Sequence, residues 1–280
     1  MIPAEFEYEL AESAEHAIEL LARHGEEAKL LAGGQSLLSF MKLRLAFPSV
    51  LVDIGRIADL SYVREADGGV AIGALTTHDE VDRSELVREA CPLLAKAAGE
   101  VGDPQVRHVG TIGGSLAHAD PASDVPTALL ALDAELVVHG PRGERVVPAN
   151  RFFRSAFETD LAPDELVTEI RVPRTTGSGW SYVKFHPRAQ DWAIVGVAAL
   201  VEHGDGGIAR AAVALTNMGS TPLRAVAFEQ ALASGSDPAG AAESVVEGTN
   251  PVSDPFASAE YRTEMAKVAA RRAVEEALGR

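Results

Sequence analysis

Two short segments far apart in the chain share a pattern: Ala32-Gly33-Gly34-Gln35-Ser36-Leu37 and Thr111-Ile112-Gly113-Gly114-Ser115-Leu116. Each has a Gly-Gly pair followed by a hydrogen-bonding side chain and then Ser or Leu. Paired glycines let backbone approach a ligand closely, and free N–H groups beside a Ser hydroxyl can hold phosphate oxygens. Two such segments in one domain point to one ligand with two phosphates. A diphosphate needs donors on both sides, so segments from distant parts of the chain can clamp a dinucleotide that either would hold weakly alone.

The second segment runs into Ala117-His118-Ala119-Asp120-Pro121-Ala122-Ser123-Asp124. It lies within a polar stretch, residues 99–124, that has five glycines, two prolines and few large side chains. A long structureless stretch inside a compact domain is usually functional. Neither segment matches Gly-x-Gly-x-x-Gly with an acidic residue downstream, nor Gly-x-x-x-x-Gly-Lys-Ser/Thr, so Rossmann and P-loop readings fail.

With 280 residues the chain is long enough for a sizeable core in one large domain or two to three lobes. An excess of 41 acidic over 25 basic residues gives a net charge of -16, which disfavours nucleic acid and anionic membrane as partners. Residues 1–7 lack the basic start and apolar core of a signal peptide, and no apolar run is long enough to span a membrane, so the expected location is the cytoplasm. Cys91 is the only cysteine, which excludes an intrachain disulfide and a four-cysteine iron-sulfur cluster. The eight histidines show no metal-ligand spacing, and no metal site is expected; His118, Asp120 and Asp124 are read as hydrogen-bonding groups of a polar loop.

Periodicity predicts a helix over 13–21 ended by Gly25, a strand at 29–32, a helix from Ser36 through Leu45 stopped by Pro48, and strands at 50–54 and 69–75. Thr77-His78-Asp79-Glu80 reads as a capping box, and 84–101 as one helical stretch. A helix at 127–132, a strand at 135–139 with a turn at 140–143, and a strand at 166–172 follow. The small-residue stretch 175–179 is the expected boundary between an N-terminal domain, 1–175, and a C-terminal one, 176–280. Beyond it lie strands at 180–186, 195–202 and 208–215, with a hairpin turn at 203–207, then helices at 223–233, 239–247 and 258–278.

Leu31-Ala32-Gly33-Gly34-Gln35-Ser36-Leu37, Met41-Lys42-Leu43-Arg44-Leu45-Ala46, Asp103-Pro104-Gln105-Val106-Arg107 and Gly110-Thr111-Ile112-Gly113-Gly114-Ser115 together resemble the FAD-binding medium subunits of the molybdenum hydroxylases. Within that family the pattern is most similar to the aerobic carbon monoxide dehydrogenase type. Ala214-Leu215-Thr216-Asn217 with Thr221-Pro222-Leu223, and Ser258-Ala259-Glu260-Tyr261-Arg262 with Arg271-Arg272-Ala273, extend the resemblance over nearly the whole chain.

The resemblance implies an α+β fold: a two-lobed FAD-binding domain of the vanillyl-alcohol-oxidase (PCMH) type, with lobes of roughly 1–56 and 57–175, then a small antiparallel sheet plus helices. It implies that Ala32, Gly33, Gly34, Gln35, Ser36 and Leu37, with Thr111, Ile112, Gly113, Gly114 and Ser115, hold the FAD diphosphate. Asp124 matches an acidic FAD contact, and Val167 and Lys184 match positions near the flavin. Trp192 stands where a tyrosine packs on the isoalloxazine ring; indole keeps the π-face and replaces a hydroxyl with an N–H. Ser115 stands where relatives often have Asn, and Gln35 where they have Gln or His. From the residues alone, Asp124 also suits a helix cap, Lys184 a solvated strand position and Trp192 a core position.

No catalytic acid, base or nucleophile is expected. The implied role is electron transfer within a complex, a dimer of heterotrimers: a large subunit with the molybdenum cofactor, a small subunit with [2Fe-2S] clusters, and FAD here passing electrons to an external acceptor such as a quinone. Membrane association arises only through the complex or its acceptor. The alternatives are the flavin subunit of a xanthine, nicotine or aromatic-thioester hydroxylase, or a non-catalytic nucleotide-binding assembly module.

Overall fold

The computed structural model describes residues 2–204 and 207–280; the middle of the expected hairpin turn at 203–207 lies outside the described residues. The chain begins with β1 (Glu7–Leu10), α1 (Ala14–His24), β2 (Ala28–Leu31), α2 (Leu37–Lys42) and β3 (Val50–Asp53). The strands form a parallel sheet in the order β1-β3-β2. Ser13 caps α1 by accepting from the His16 N–H, and Gly25 at φ +58° ends it. The apolar face of α1, with Ala17, Ile18, Leu20 and Leu21, packs with Val50 and Val52 of β3 in a small core.

Next come β4 (Val63–Ala66), β5 (Gly69–Gly73), α3 (His78–Arg83), α4 (Glu85–Ala90), α5 (Pro92–Gly99), α6 (Pro104–Arg107), α7 (Ile112–His118) and α8 (Asp124–Ala131). They are followed by β6 (Glu135–Gly140), β7 (Gly143–Pro148), α9 (Ala149–Phe152), β8 (Phe153–Ser155), β9 (Glu158–Thr159) and β10 (Leu166–Pro173). β4, β5, β10, β6 and β7 make a five-stranded antiparallel sheet in that order. The last part has β11 (Gly179–Phe185), β12 (Val195–Gly204), β13 (Gly207–Thr216) and β14 (Leu223–Arg224) in an antiparallel sheet, with α10 (Val226–Ala233), α11 (Pro238–Ala241) and α12 (Ala259–Leu278).

The C-terminal sheet is covered on both faces, which explains why its strands read as nearly unbroken apolar runs. Alternation along β12 sends Val195, Val197, Ala199 and Val201 into the core shared with α12. Ala198 and Leu200 enter the core shared with α5 and α8. α8 therefore packs on the C-terminal sheet, inside the core that also takes the inner face of the five-stranded sheet.

Several sequence expectations change. The stretch 84–101 is two helices, because Cys91 leaves helical geometry (φ -147°, ψ 67°) and Pro92 opens α5; proline disfavours the helical region for the residue before it. The 99–124 stretch is not structureless: Asp103 and Thr111 cap α6 and α7 by accepting from the Val106 and Gly114 N–H groups. α2 ends at Lys42, well before Pro48, and Ser36 makes no side-chain cap bond. The helix expected at 127 begins at Asp124. Leu223–Arg224 is a strand preceding α10, and 239–247 is α11 followed by a 3-10 turn. β1, β4 and β7 were not expected; they lie on sheet edges and carry exposed residues, so no apolar pattern marks them.

Candidate dinucleotide site

The first Gly-Gly segment leaves the C-terminal end of β2 and turns into α2. Among the described residues, the backbone N–H groups of Gly33 through Leu37 donate to no protein backbone acceptor. Buried or half-buried backbone donors are nearly always paired, so a run of free ones in one turn is a site for an acceptor from outside the chain.

The second segment is built differently. It is the first turn of α7, and its donors are largely used: Ile112 N–H to Thr76 O at 3.0 Å, Gly113 N–H to Ala74 O at 2.8 Å, and Gly114 N–H to Thr111 Oγ1 at 3.1 Å. The Thr111 N–H has no backbone acceptor among the described residues. The two segments thus contribute unequally, the first a row of donors, the second one free N–H, the Ser115 side chain and the positive end of a short helix.

The glycines serve loop-to-loop packing more than ligand approach. A Cβ on Gly33 would stand 2.0 Å from Val109 O, one on Gly113 would stand 2.6 Å from Ala74 Cβ, and one on Gly114 would face Ala32 Cβ at 4.0 Å. The backbones therefore touch, which brings both segments to one cavity of about 1090 Å³. That is just above the ~300–1,000 Å³ range of ligand sites. Only Gly34, at φ +70°, is required by backbone conformation.

Of the residues expected at the site, Ala32, Gly33, Gly34, Gln35, Ser36, Leu37, Thr111, Gly113, Gly114, Ser115, Asp124, Val167, Lys184 and Trp192 line this cavity. Ile112 does not; its side chain is fully buried in the core beneath α7. Trp192 is 70 % exposed, so it is not a core residue.

Asp124 is the first residue of α8, whose cap is Ser123, and its carboxylate turns inward instead of capping. Asp124 Oδ1 accepts from Tyr182 Oη at 2.6 Å and Oδ2 from Lys184 Nζ at 2.8 Å. Lys184 Nζ also donates to Glu100 O at 2.8 Å and is nearly fully buried, so it is not a solvated strand residue. Burial pushes the Asp124 carboxyl up, opposed by the Lys184 ammonium, and burial beside Asp124 pushes the Tyr182 hydroxyl well up. The Tyr182 hydroxyl lies 3.5 Å from Thr216 Oγ1, which donates to Thr127 Oγ1 at 2.7 Å. This network ties α8 to β11 and β13 at the cavity wall.

Two features of the site were not read from the sequence. Phe40, His118 and Phe157 cluster at the cavity with ring centroids 5.0 to 5.5 Å apart, Phe157 being held at φ +61°. His78 follows the cap residue Thr77, whose capping box with Glu80 is present as the sequence predicts. His78 is among the residues lining the cavity, is 3 % exposed, and its imidazole is lowered to about 4 by burial and by the Arg107 charge. In the sequence His78 is simply the first residue of a capped helix, and no local pattern marks it as a cavity residue.

The residue set fits a dinucleotide: unpaired donors converge on one large cavity, two helices start at it, and polar and aromatic groups lie along its walls. Comparison with known proteins agrees. Residues 4–175 match the family "FAD binding domain in molybdopterin dehydrogenase", and residues 180–277 match "CO dehydrogenase flavoprotein C-terminal domain". The chain is 40 % identical over 286 residues to the 6-hydroxypseudooxynicotine dehydrogenase complex subunit alpha of Paenarthrobacter nicotinovorans, covering 100 % of this chain and 97 % of that one. It is 40 % identical over 285 residues to the carbon monoxide dehydrogenase medium chain of Hydrogenophaga pseudoflava, covering 100 % and 99 %. A solved structure of the Hydrogenophaga pseudoflava carbon monoxide dehydrogenase superposes with a TM-score of 0.97 at 42 % identity, covering 100 % of this chain and 99 % of that chain.

Proposed function

This chain belongs to the FAD-binding family of the molybdopterin dehydrogenases, and from that premise we propose that it is the flavin-carrying, electron-transferring subunit of a molybdenum hydroxylase, of the carbon monoxide dehydrogenase type. The observation that carries the proposal is the row of N–H groups from Gly33 through Leu37 that, among the described residues, donate to no backbone acceptor and that line one cavity with Thr111. In this reading the diphosphate of FAD accepts from those donors, and the partial positive charge at the starts of α2 and α7 adds to its hold. When bound, FAD supplies an electron acceptor whose chemistry belongs to the cofactor. The chain supplies position, electrostatics and shielding from water.

Lys184 and Asp124 form the buried wall beside which the flavin end lies, and Trp192 is a rim group offering an aromatic face to it. Val167 belongs to the same set. The fixed Asp124–Lys184–Tyr182 network presents dipoles that do not reorganise when charge arrives nearby, the arrangement that electron transfer favours.

Cys91 is buried, its thiol pushed up to about 12 by burial. One cysteine cannot ligate a four-cysteine cluster, so electrons reach this chain from a partner. We assign that role to a small subunit with [2Fe-2S] clusters, itself served by a large molybdenum-cofactor subunit, in a dimer of heterotrimers. An external acceptor, such as a quinone, then takes the electrons. The described residues include no helix long and apolar enough to cross a membrane; we place the complex in the cytoplasm, reaching membranes only through its acceptor. A division into 1–175, with lobes 1–56 and 57–175, and 176–280 is supported by the separate sheets and by family matches that meet near the same point.

A second reading keeps the flavin role and changes the substrate, because a relative named for 6-hydroxypseudooxynicotine is as similar as one named for carbon monoxide. The substrate is chosen in the molybdenum subunit. The test is reconstitution of the purified chain with FAD followed by its visible spectrum, then isolation of the native complex. Flavin absorbance bands, and iron and molybdenum in the copurifying chains, are the expected results; a native chain that purifies alone and takes up no FAD overturns the proposal.

A further inference from the structure

We infer that His78 is a ligand-binding residue of the cavity, donating a hydrogen bond from Nε2 to a phosphate oxygen of the bound dinucleotide. The inference rests on the FAD reading above and adds a residue to it. His78 is placed where the two Gly-Gly segments meet. Its backbone N–H donates to Gly110 O at 3.0 Å, and a Cβ on Gly110 would lie 3.2 Å from His78 Cδ2 and 3.6 Å from Gln35 Cγ. The ring and the first loop therefore converge on the residue that precedes Thr111, whose N–H has no backbone acceptor among the described residues.

The choice of nitrogen follows from the unpaired atoms. His78 Nδ1 and Arg107 Nε are both buried side-chain nitrogens without a hydrogen-bond partner among the described residues. Arg107 is locked in place, Nη1 donating to Val101 O at 3.0 Å and Gly102 O at 3.3 Å, and its charge acts on His78. A guanidinium only donates, while a neutral imidazole has one N–H and one lone pair. A proton on Nδ1 would bury a second unpaired donor beside a cation; a lone pair there is the form the cation favours. The proton then sits on Nε2, which is not among the enclosed unpartnered atoms, in a residue that lines the cavity. Arg107 is a positioning residue in this account. It sets the tautomer and makes no contact with the ligand.

The test uses the full-length chain with 15N-labelled histidine. Two-bond 1H–15N spectra read the His78 tautomer directly, and a titration with FAD follows its Nε2–H resonance. The expected result is an Nε2–H tautomer whose proton moves downfield and exchanges more slowly when FAD is saturating. His78→Phe weakens FAD about tenfold or more, as expected for losing a hydrogen bond to a charged group, while His78→Gln restores an N–H donor and recovers most of the affinity. An Nδ1–H tautomer, or an Nε2–H resonance unmoved at FAD saturation, overturns the inference even if His78→Phe does not fold. A folded His78→Phe chain that binds FAD as tightly as the parent also overturns it and leaves the FAD reading standing. A parent chain that binds no FAD fails the FAD reading itself.

Discussion

Lys184 Nζ donates to Asp124 Oδ2 at 2.8 Å across the cavity wall, linking the C-terminal end of β11, the edge strand of the C-terminal sheet, to the first residue of α8. Both side chains are almost wholly removed from water. A buried ion pair adds little net stability, but breaking one leaves an uncompensated charge in a dry site.

Lys184→Met should therefore lower stability by about 3–5 kcal/mol, and the double variant with Asp124→Asn should recover much of that loss. Thermal unfolding of the four proteins of this cycle measures the coupling. Additive losses would show that the pair does not act as a unit.

Gly33→Ala places a Cβ 2.0 Å from Val109 O, a backbone atom that moves only with its loop. We expect a loss of about 1–3 kcal/mol from overpacking and a collapse of FAD affinity, because the loop donors lose register with Thr111. Gly68→Ala is the control. Gly68 lies in a turn at φ +76° with open space around it, so its substitution costs about 1–2 kcal/mol and leaves FAD binding intact.

His78 carries a pH signature. Its ordinary value of 6.5 in the unfolded chain falls to about 4 in the folded protein. Between those values the unfolded state binds a proton that the folded state refuses, so unfolding free energy rises with pH across the window and is lost on acidification from about 6.5 toward 4. Urea unfolding of the parent and of His78→Gln at a series of pH values measures it, the variant having the shallower slope.

Trp192 is exposed, so Trp192→Ala should shift stability by no more than about 0.5 kcal/mol. If its indole lies against the flavin, Trp192 fluorescence is quenched as FAD is added, and the variant changes the flavin potential with its melting temperature unmoved. Trp180, packed beneath the Arg280 guanidinium at 3.9 Å, gives the constant background.

Local chemistry decided a large part of this protein before any folding was considered. α1 ends at Gly25, the Thr77–Glu80 capping box forms, Ser258 caps α12, and β12 and β13 are antiparallel neighbours, because caps and alternation depend on residues close in sequence. The two Gly-Gly segments were legible in the same way, as places where backbone comes close to a ligand. What they pack against was not: Gly33 meets Val109 and Gly113 meets Ala74, partners fixed only when distant loops pack. The same holds for Asp124, which local rules suit to a cap and which tertiary contact turns toward Lys184 and Tyr182. His78 shows the reason most plainly. A nitrogen's role depends on which partners remain unpaired around it after the chain has closed, and the order of residues alone does not contain that information.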